Sequence, residues 1–243
     1  MTLEETLKQI RPLNKEAMES AGKRWDSIAK PLHSLGKMED LVIQIAGIQE
    51  TPDISVKKRA LVSMCADNGV VEEGVTQTGQ EVTAIVAENF LSGDTSACVM
   101  CRQCGTDVFP VDVGMVVNTK VPTDLKVAMG TKNMTKEPAM TREEAVKGLE
   151  AGIEMVRRLK EKGYTLLATG EMGIGNTTTS SAVASVLLDE PVEKMTGRGA
   201  GLSSEGLNRK ITAIKKAVEV NKPDPSDAVD VLAKVGGFDI AGM

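Results

Sequence analysis

The sequence predicts an α/β protein in which helices cover both faces of a mainly parallel sheet. Short apolar runs alternate with helical patterns along the chain, and this alternation is typical of parallel strands joined by helical crossovers. Polar, glycine-containing clusters follow the apolar runs directly, where open parallel sheets bind their ligands. The expected fold is therefore a three-layer, Rossmann-like domain.

The N-terminal part of the chain precedes any strand and is predicted to be helical. Its apolar residues recur at helical spacing between Leu35 and Ile48, which favours an amphipathic helix. We expect residues 1–55 to form a small helical subdomain. Residues 56–243 are then expected to form a parallel α/β nucleotide-binding domain.

The remaining elements alternate in type along the predicted α/β domain. Strands are predicted at 60–66, 107–113 and 164–169. Helices are predicted at 80–91, at 141–161, from near Ser181 and at 228–235. The last residues, 236–243, form an apolar run that is typical of a packed element, so we expect the domain to continue beyond Met243.

Composition argues against two classes of partner. One Trp, one Tyr and three Phe leave few side chains for stacking on single-stranded nucleic acid. The net charge of −5 comes without a basic block, which argues against a nucleic-acid backbone as ligand. The chain shows neither a signal-peptide pattern nor an apolar run of ~20 residues. We predict a cytoplasmic protein with no nucleic-acid and no membrane partner.

Three cysteines, Cys98, Cys101 and Cys104, have a spacing that suggests a metal site. In a helix, the first and third would lie about 9 Å apart along the axis. Three sulfur atoms placed in this way do not converge on one zinc ion. We therefore predict small buried helix residues and no metal.

A glycine- and threonine-rich segment, Thr169–Thr179, follows the third predicted strand and is the strongest candidate for a ligand site. Its glycines allow close backbone approach, and free N–H groups at the following helix start would point outward to a phosphate. The segment matches neither a Walker loop nor the dinucleotide-binding fingerprint. A tight strand-to-helix turn capped by Asn and Thr explains the spacing equally well, so both interpretations stay open.

Two further loops contain polar residues suited to binding. The segment Gly197–Gly201 leads into a helix with Arg209 and Lys210, and is either a loop that brings cations to a phosphate or a flexible connection. In the loop that starts at Asp67, Gln80 has an amide that suits a heterocyclic base. The only histidine, His33, is expected at the surface or at a helix cap.

Several segments, taken in order, resemble the nicotinate-nucleotide–dimethylbenzimidazole phosphoribosyltransferase family. They are Lys30–Gly36, Ala46–Gln49, Ala66–Gly69, Gly170–Thr178 and Val235–Gly242. The resemblance spans nearly the whole chain. It implies transfer of the phosphoribosyl group of nicotinate mononucleotide to 5,6-dimethylbenzimidazole or a related base in cobalamin nucleotide-loop assembly. The products are nicotinate and α-ribazole 5'-phosphate, no cofactor is required, and the enzyme is expected to be a homodimer.

The resemblance also implies roles for individual residues. It places Glu171 at the ribose, where a carboxylate can assist an oxocarbenium-like centre. The acceptor base is expected near Gln80. The residues expected to bind the donor are Gly173, Gly175, Asn176, Thr177, Thr178 and Lys210.

The acceptor nitrogen must lose a proton, which requires a general base. In this family the base is a glutamate after the Gly236–Asp239 motif, and the present sequence is expected to end before it. A chain without this base would be a nucleotide-binding module or an inactive partner subunit, which is the alternative function. The sequence also departs from the family at Asn68, commonly His, and at His33, commonly Gly.

Overall fold

The structure is a computed structural model that describes residues 1–243, and it divides into two compact units. Residues 4–58 form the smaller unit, which is helical. Residues 1–3 and 59–243 form the larger unit, which contains the sheet. No helix of the structure is long and apolar enough to cross a membrane.

The smaller unit is built around two packed helices. Its elements are α1 (Leu3–Gln9), α2 (Lys15–Ser27) and α3 (Lys37–Gln49). The side chain of Asn14 accepts a hydrogen bond of 3.0 Å from Ala17 N and so caps the start of α2. Small buried residues of α2 and α3, among them Ala21 and Ala46, allow the two helices to approach closely.

The larger unit contains three parallel strands in the order β2-β1-β3. They are β1 (Arg59–Ala66), β2 (Thr106–Gly114) and β3 (Leu166–Met172). The predicted existence of these three strands and their parallel arrangement are confirmed, whereas their order across the sheet was not predicted. The predicted end of β3 is wrong, because residues 170–172 pair with residues 63–65 of the central strand. Pairing with a neighbouring strand thus overrides the local turn signal of Gly170.

Helices and one short 3₁₀ turn make up the rest of the larger unit. The 3₁₀ turn is Gly69–Glu73, and the helices are α4 (Glu81–Ser92), α5 (Ser96–Gln103), α6 (Arg142–Glu161), α7 (Asn176–Leu187), α8 (Val192–Met195), α9 (Ser204–Asn221), α10 (Ala228–Val235) and α11 (Phe238–Gly242). The prediction that α7 begins near Ser181 is wrong by five residues. The threonines join its first turn because the backbone closes there, with Thr178 N and Thr179 N donating to Gly175 O at 2.9 and 3.3 Å.

Alternate residues of β1 face opposite sides of the sheet. On one side, Val62 and Met64 belong to the main core together with residues of α6, α7 and α10. On the other side, Cys65 packs with Ala87 of α4 and with Met172. Helices therefore cover both faces, and the predicted three-layer α/β fold is confirmed.

The C-terminal helix α11 packs on α6 at the main core. Thr141 and Glu144 form a capping box that starts α6. Further along α6, Gly148 is buried and faces Ala241 of α11. Absence of a side chain at Gly148 lets α11 lie close to α6, which fixes the position of its buried carboxylate, Asp239.

Candidate active site

The candidate site lies where β1 and β3 end. These strands are parallel neighbours, so their carboxyl ends meet at one edge of the sheet. Strand β1 leads into Asp67 and Asn68, and β3 leads into Gly173 and Ile174. A Cβ atom at Gly173 would lie 2.4 Å from Ala66 O, so the two strand ends are packed as closely as a glycine allows. The segment Gly173–Thr178 is called the donor loop below.

Lys210 on α9 is the most deeply buried cation of the site. Its side chain is almost fully enclosed, with a relative exposure of 1%. Its ammonium donates to Thr177 Oγ1 at 2.7 Å and to Gly197 O at 3.2 Å, and burial lowers its pKa. Both acceptors are neutral, and Lys210 makes no ion pair. A buried charge without a counter-ion is costly, so an anionic ligand at this position would be stabilised.

The two neighbouring threonines of the donor loop point in different directions. Thr177 is exposed and its hydroxyl contacts Lys210. Thr178 is fully buried, and its hydroxyl has no hydrogen-bond partner. Of these two sequence-predicted side chains, the structure therefore brings only Thr177 to Lys210.

The backbone N–H groups at the start of α7 are mostly engaged within the protein. Asn176 N donates to Gly173 O at 3.0 Å, and Thr178 N donates to Gly175 O at 2.9 Å. Thr177 N donates to the side chain of Asn176 at 2.6 Å. The expectation that these groups point outward unpaired is wrong, because the tight turn folds back on itself. Lys210 and the Thr177 hydroxyl are thus the main polar groups offered to an anion.

Glu171 is the penultimate residue of β3 and is partly exposed. Its carboxylate accepts a hydrogen bond from the side-chain amide of Asn176, the first residue of α7. Strand β3 and the start of α7 therefore hold this carboxylate from two sides. A negative group fixed in this way suits a developing positive charge on a ligand.

Gln80 stands at the N-terminal end of α4, across the loop that follows β1. Its side-chain amide donates to Asn68 O at 3.1 Å. The donor loop is joined to the same helix, because Ile174 N donates to Thr83 Oγ1 at 3.1 Å. The structure therefore brings Gln80 and the donor loop together at one edge of the sheet.

Two residues of the site were not assigned a role from the sequence. The side-chain amide of Asn68 donates to Asp239 Oδ2 at 3.0 Å, and Asp239 is completely buried. Burial raises the pKa of the Asp239 carboxyl to about 7. One feature of the sequence could have indicated a role for Asp239, because it is the only charged residue in the apolar stretch 235–243.

The segment Gly197–Gly201 lies over Lys210. A Cβ atom at Gly199 would be 2.9 Å from Thr177 Oγ1 and 3.6 Å from Lys210 Nζ. Arg209 points elsewhere and donates to Gly74 O at 3.3 Å. Only one of the two cations expected to follow this segment therefore reaches the site.

The remaining candidates of the sequence analysis are the cysteines and His33. Cys98 is buried, as predicted, but Cys101 is partly exposed and Cys104 is exposed. The prediction of buried cysteines is wrong for Cys104 because it lies at the C-terminal end of α5. No group of three or more His, Cys, Asp or Glu residues is placed to hold a metal ion. His33 is exposed, as expected.

Comparison with known proteins identifies the family. A family model described as "Phosphoribosyltransferase" matches residues 10–243. The nicotinate-nucleotide–dimethylbenzimidazole phosphoribosyltransferase of Ruminiclostridium cellulolyticum is 53% identical over 245 residues, which cover 100% of this chain and 70% of that protein. The chain belongs to this family. The enzyme of the same name from Clostridium tetani is 49% identical over 99% of this chain and 67% of its own length.

Solved structures agree with this assignment. The crystal structure of CobT from Thermus thermophilus has a TM-score of 0.87 and 38% identity, and the match covers 93% of this chain and 69% of that chain. A second structure, of the nicotinate-nucleotide–dimethylbenzimidazole phosphoribosyltransferase from the same organism, has a TM-score of 0.86 and 36% identity over 95% of this chain. The present chain thus spans about 70% of the length of these family members and shares their fold.

Proposed function

We propose that this protein transfers the 5-phosphoribosyl group of nicotinate mononucleotide to 5,6-dimethylbenzimidazole or a related base. In this reaction the bond between ribose C1' and the nicotinate nitrogen breaks, and a bond between C1' and the acceptor nitrogen forms. Nicotinate leaves, the acceptor nitrogen loses its proton, and α-ribazole 5'-phosphate is the product. Family membership supports this reaction, since the relatives carry it in their names.

The observation that carries the proposal is the environment of Lys210. A buried ammonium with only neutral acceptors lies at the donor loop, where it donates to the hydroxyl of Thr177, an exposed residue. A phosphate group placed here would supply the missing negative charge. Charge-assisted hydrogen bonds of this kind are about twice as strong as neutral ones.

The carboxylate of Glu171 suits the ribose side of the same donor. Positive charge develops at C1' as the glycosidic bond breaks, and a fixed carboxylate stabilises it without reorganisation. Asn176 fixes this carboxylate by a hydrogen bond. We therefore assign Glu171 to the reacting ribose, and Lys210 with Thr177 to the phosphate.

Gln80 is the proposed contact for the acceptor base. Its amide lies at the start of α4, which Thr83 joins to the donor loop. An amide both donates and accepts hydrogen bonds, as recognition of a heterocyclic base requires. The acceptor would approach the ribose from this side of the loop.

Binding and turnover with matched ligands test the proposed reaction. We expect nicotinate mononucleotide to bind measurably by calorimetry, and its riboside, which lacks the phosphate, to bind at least tenfold more weakly, as loss of a charged hydrogen bond costs about 1.5–3 kcal/mol. Nicotinate release should depend on added 5,6-dimethylbenzimidazole. Equal affinities for nucleotide and riboside would contradict the phosphate site. Nicotinate release at the same rate with and without 5,6-dimethylbenzimidazole would contradict the transfer reaction.

A Glu171→Gln variant tests the catalytic role. Gln keeps the size and the hydrogen-bond acceptor for Asn176 but removes the negative charge. We expect turnover to fall strongly while the melting temperature changes little. Glu161→Gln, at the exposed end of α6, is the matched control and should retain wild-type turnover. A Glu171→Gln protein that loses stability as much as activity would contradict this role.

We also propose that the protein is a homodimer that associates through α3. Met38, Leu41 and Ile48 are 58%, 55% and 60% exposed and fall on one face of this helix. Burial of such a stripe against a second copy contributes roughly 25 cal/mol for each Å² of apolar surface. Sedimentation equilibrium should give a dimer for the wild type and a monomer for Leu41→Glu. Val220→Glu, at an exposed apolar position on α9, should stay dimeric.

The cytoplasmic location inferred from the sequence stays a prediction.

A further inference from the structure

Asn68 makes hydrogen bonds to three separate parts of the site. Its side-chain amide donates to Asp239 Oδ2 at 3.0 Å and to Ile174 O in the donor loop at 3.4 Å. Its backbone carbonyl accepts from the side-chain amide of Gln80 at 3.1 Å. The donor loop and the proposed acceptor contact are thus connected through one residue.

The side chain of Asn68 can take only this orientation because Asp239 fixes it. Asp239 Oδ1 accepts from Ile240 N at 2.9 Å, and Oδ2 accepts from Asn68. Both partners are donors, and a carboxylate supplies an acceptor to each of them. The amide group of Asn68 must therefore turn its Nδ2 towards Asp239, which also aims it at the donor loop.

Packing around this pair leaves no room for adjustment. A Cβ atom at Gly237 would lie 2.3 Å from Asp239 Oδ1 and 2.4 Å from Asn68 Oδ1. A Cβ atom at Gly173 would lie 2.3 Å from Asp239 Oδ2. Asn68 and Asp239 are themselves buried to 0% exposure. Gly173 and Gly237 thus enclose the pair from two sides. Because Gly173 is the first residue of the donor loop, the pair packs directly against that loop.

We propose that Asn68, oriented by the carboxyl group of Asp239, is a positioning residue that sets the donor loop relative to Gln80. Neither residue touches the substrates. Their effect is exerted through the backbone of Ile174 and the amide of Gln80. The inference rests on the proposed function, because it assigns the donor to one of these contacts and the acceptor to the other.

An Asp239→Asn variant removes the carboxylate that orients the Asn68 side chain, while the side-chain volume at position 239 stays nearly the same. The new amide must oppose a donor with its own NH₂ group, either Ile240 N or Asn68 Nδ2. If Asn68 flips to relieve this, its Nδ2 leaves Ile174 O. A misplacement of about 1 Å in a reacting group can cost on the order of 10²-fold in rate. We expect a fall in kcat of this order and about a tenfold rise in the Kd for nicotinate mononucleotide.

The paired variant Asn68→Asp with Asp239→Asn restores a matched hydrogen bond with donor and acceptor exchanged. The carboxylate introduced at position 68 has no donor for Ile174 O, however, so the paired variant should recover thermal stability but neither nucleotide affinity nor kcat, as in Asn68→Ala. Leu159→Ala, a large buried side chain of α6 in the main core, is the control for general destabilisation. It should lower the melting temperature while nucleotide affinity stays close to wild type.

Hydrogen exchange in the protein without substrates gives a readout that does not depend on turnover. We expect faster exchange at the Ile174 amide in Asp239→Asn, in Asn68→Ala and in the paired variant, because the side chain at position 68 no longer donates to Ile174 O in any of them. Wild-type exchange together with wild-type nucleotide affinity in Asp239→Asn would overturn the positioning role. If the wild type shows no transfer to 5,6-dimethylbenzimidazole, the proposed function is overturned, and the exchange data still decide whether the pair fixes the loop.

Discussion

Lys210 Nζ donates a hydrogen bond of 2.7 Å to Thr177 Oγ1 and so joins α9 to the first turn of α7. The two residues are 33 positions apart in the chain. Because Lys210 is buried and Thr177 is exposed, this contact places a buried positive charge beside an exposed residue of the donor loop. Its consequences for phosphate binding can be tested directly.

Lys210→Met should separate ligand binding from stability. Met fills a similar volume without the charge, and a buried cation with only neutral acceptors is costly. We therefore expect the free energy of unfolding to stay unchanged or to rise. The Kd for nicotinate mononucleotide should rise about 10–100-fold, as loss of a charged hydrogen bond predicts. Calorimetry and denaturant unfolding measure the two effects, and an unchanged Kd would contradict the phosphate assignment.

Adjacent threonines provide a matched pair of substitutions to Val. At Thr178 the hydroxyl is buried and without a partner, so Val should leave stability unchanged or raise it by about 1 kcal/mol. At Thr177, Val removes the acceptor of Lys210 and should weaken nucleotide binding. Thermal melts and calorimetry on both variants check this. Weaker binding in Thr178→Val alone would reverse the assignment.

Gly170 and Gly173 lie three residues apart but differ in the space around them. A Cβ atom at Gly170 would meet nothing nearer than 3.8 Å, whereas one at Gly173 would lie 2.4 Å from Ala66 O. The backbone of β1 cannot retreat from this contact. Gly173→Ala should therefore destabilise the protein by about 1–3 kcal/mol, and Gly170→Ala should be nearly neutral. Equal melting temperatures for the two variants would contradict the close approach of the strand ends.

Asp239 should make stability depend on pH. Burial raises its pKa to about 7, compared with about 3.9 for an unfolded aspartate. Between these values the folded state holds a proton that the unfolded state releases. The resulting stabilisation is present at acid pH and is lost as the pH rises through about 7.

The measurement is denaturant unfolding of the wild type and Asp239→Asn at several pH values between about 5 and 8. The stability of the wild type relative to the variant should increase towards acid pH. The titratable groups facing Asp239 are Glu171 and Cys65, and burial raises the pKa of the Cys65 thiol to about 12, so the thiol stays neutral in this range. A difference in stability that does not change with pH would contradict the raised pKa of Asp239.

Much of the fold was predictable because its signals are local. The apolar run at 60–66 and the helical pattern at 141–161 appear within a residue or two as β1 and α6. The structure of the segment around Gly170 was not predictable in this way. Its glycines suggest a turn, but pairing with β1 continues β3 through Met172. Likewise, the start of α7 at Asn176 depends on backbone hydrogen bonds to Gly175 O, which a run of threonines does not predict.

The sequence by itself determined the order of strands and helices, the glycine-rich loop and the family, since these depend on residue type and spacing along the chain. Tertiary structure decided which polar groups meet. Lys210 reaches Thr177 while Arg209 does not, and Asp239 holds Asn68 from 171 positions away. Such contacts depend on how helices pack against a sheet, and close packing selects one partner among several that the sequence allows.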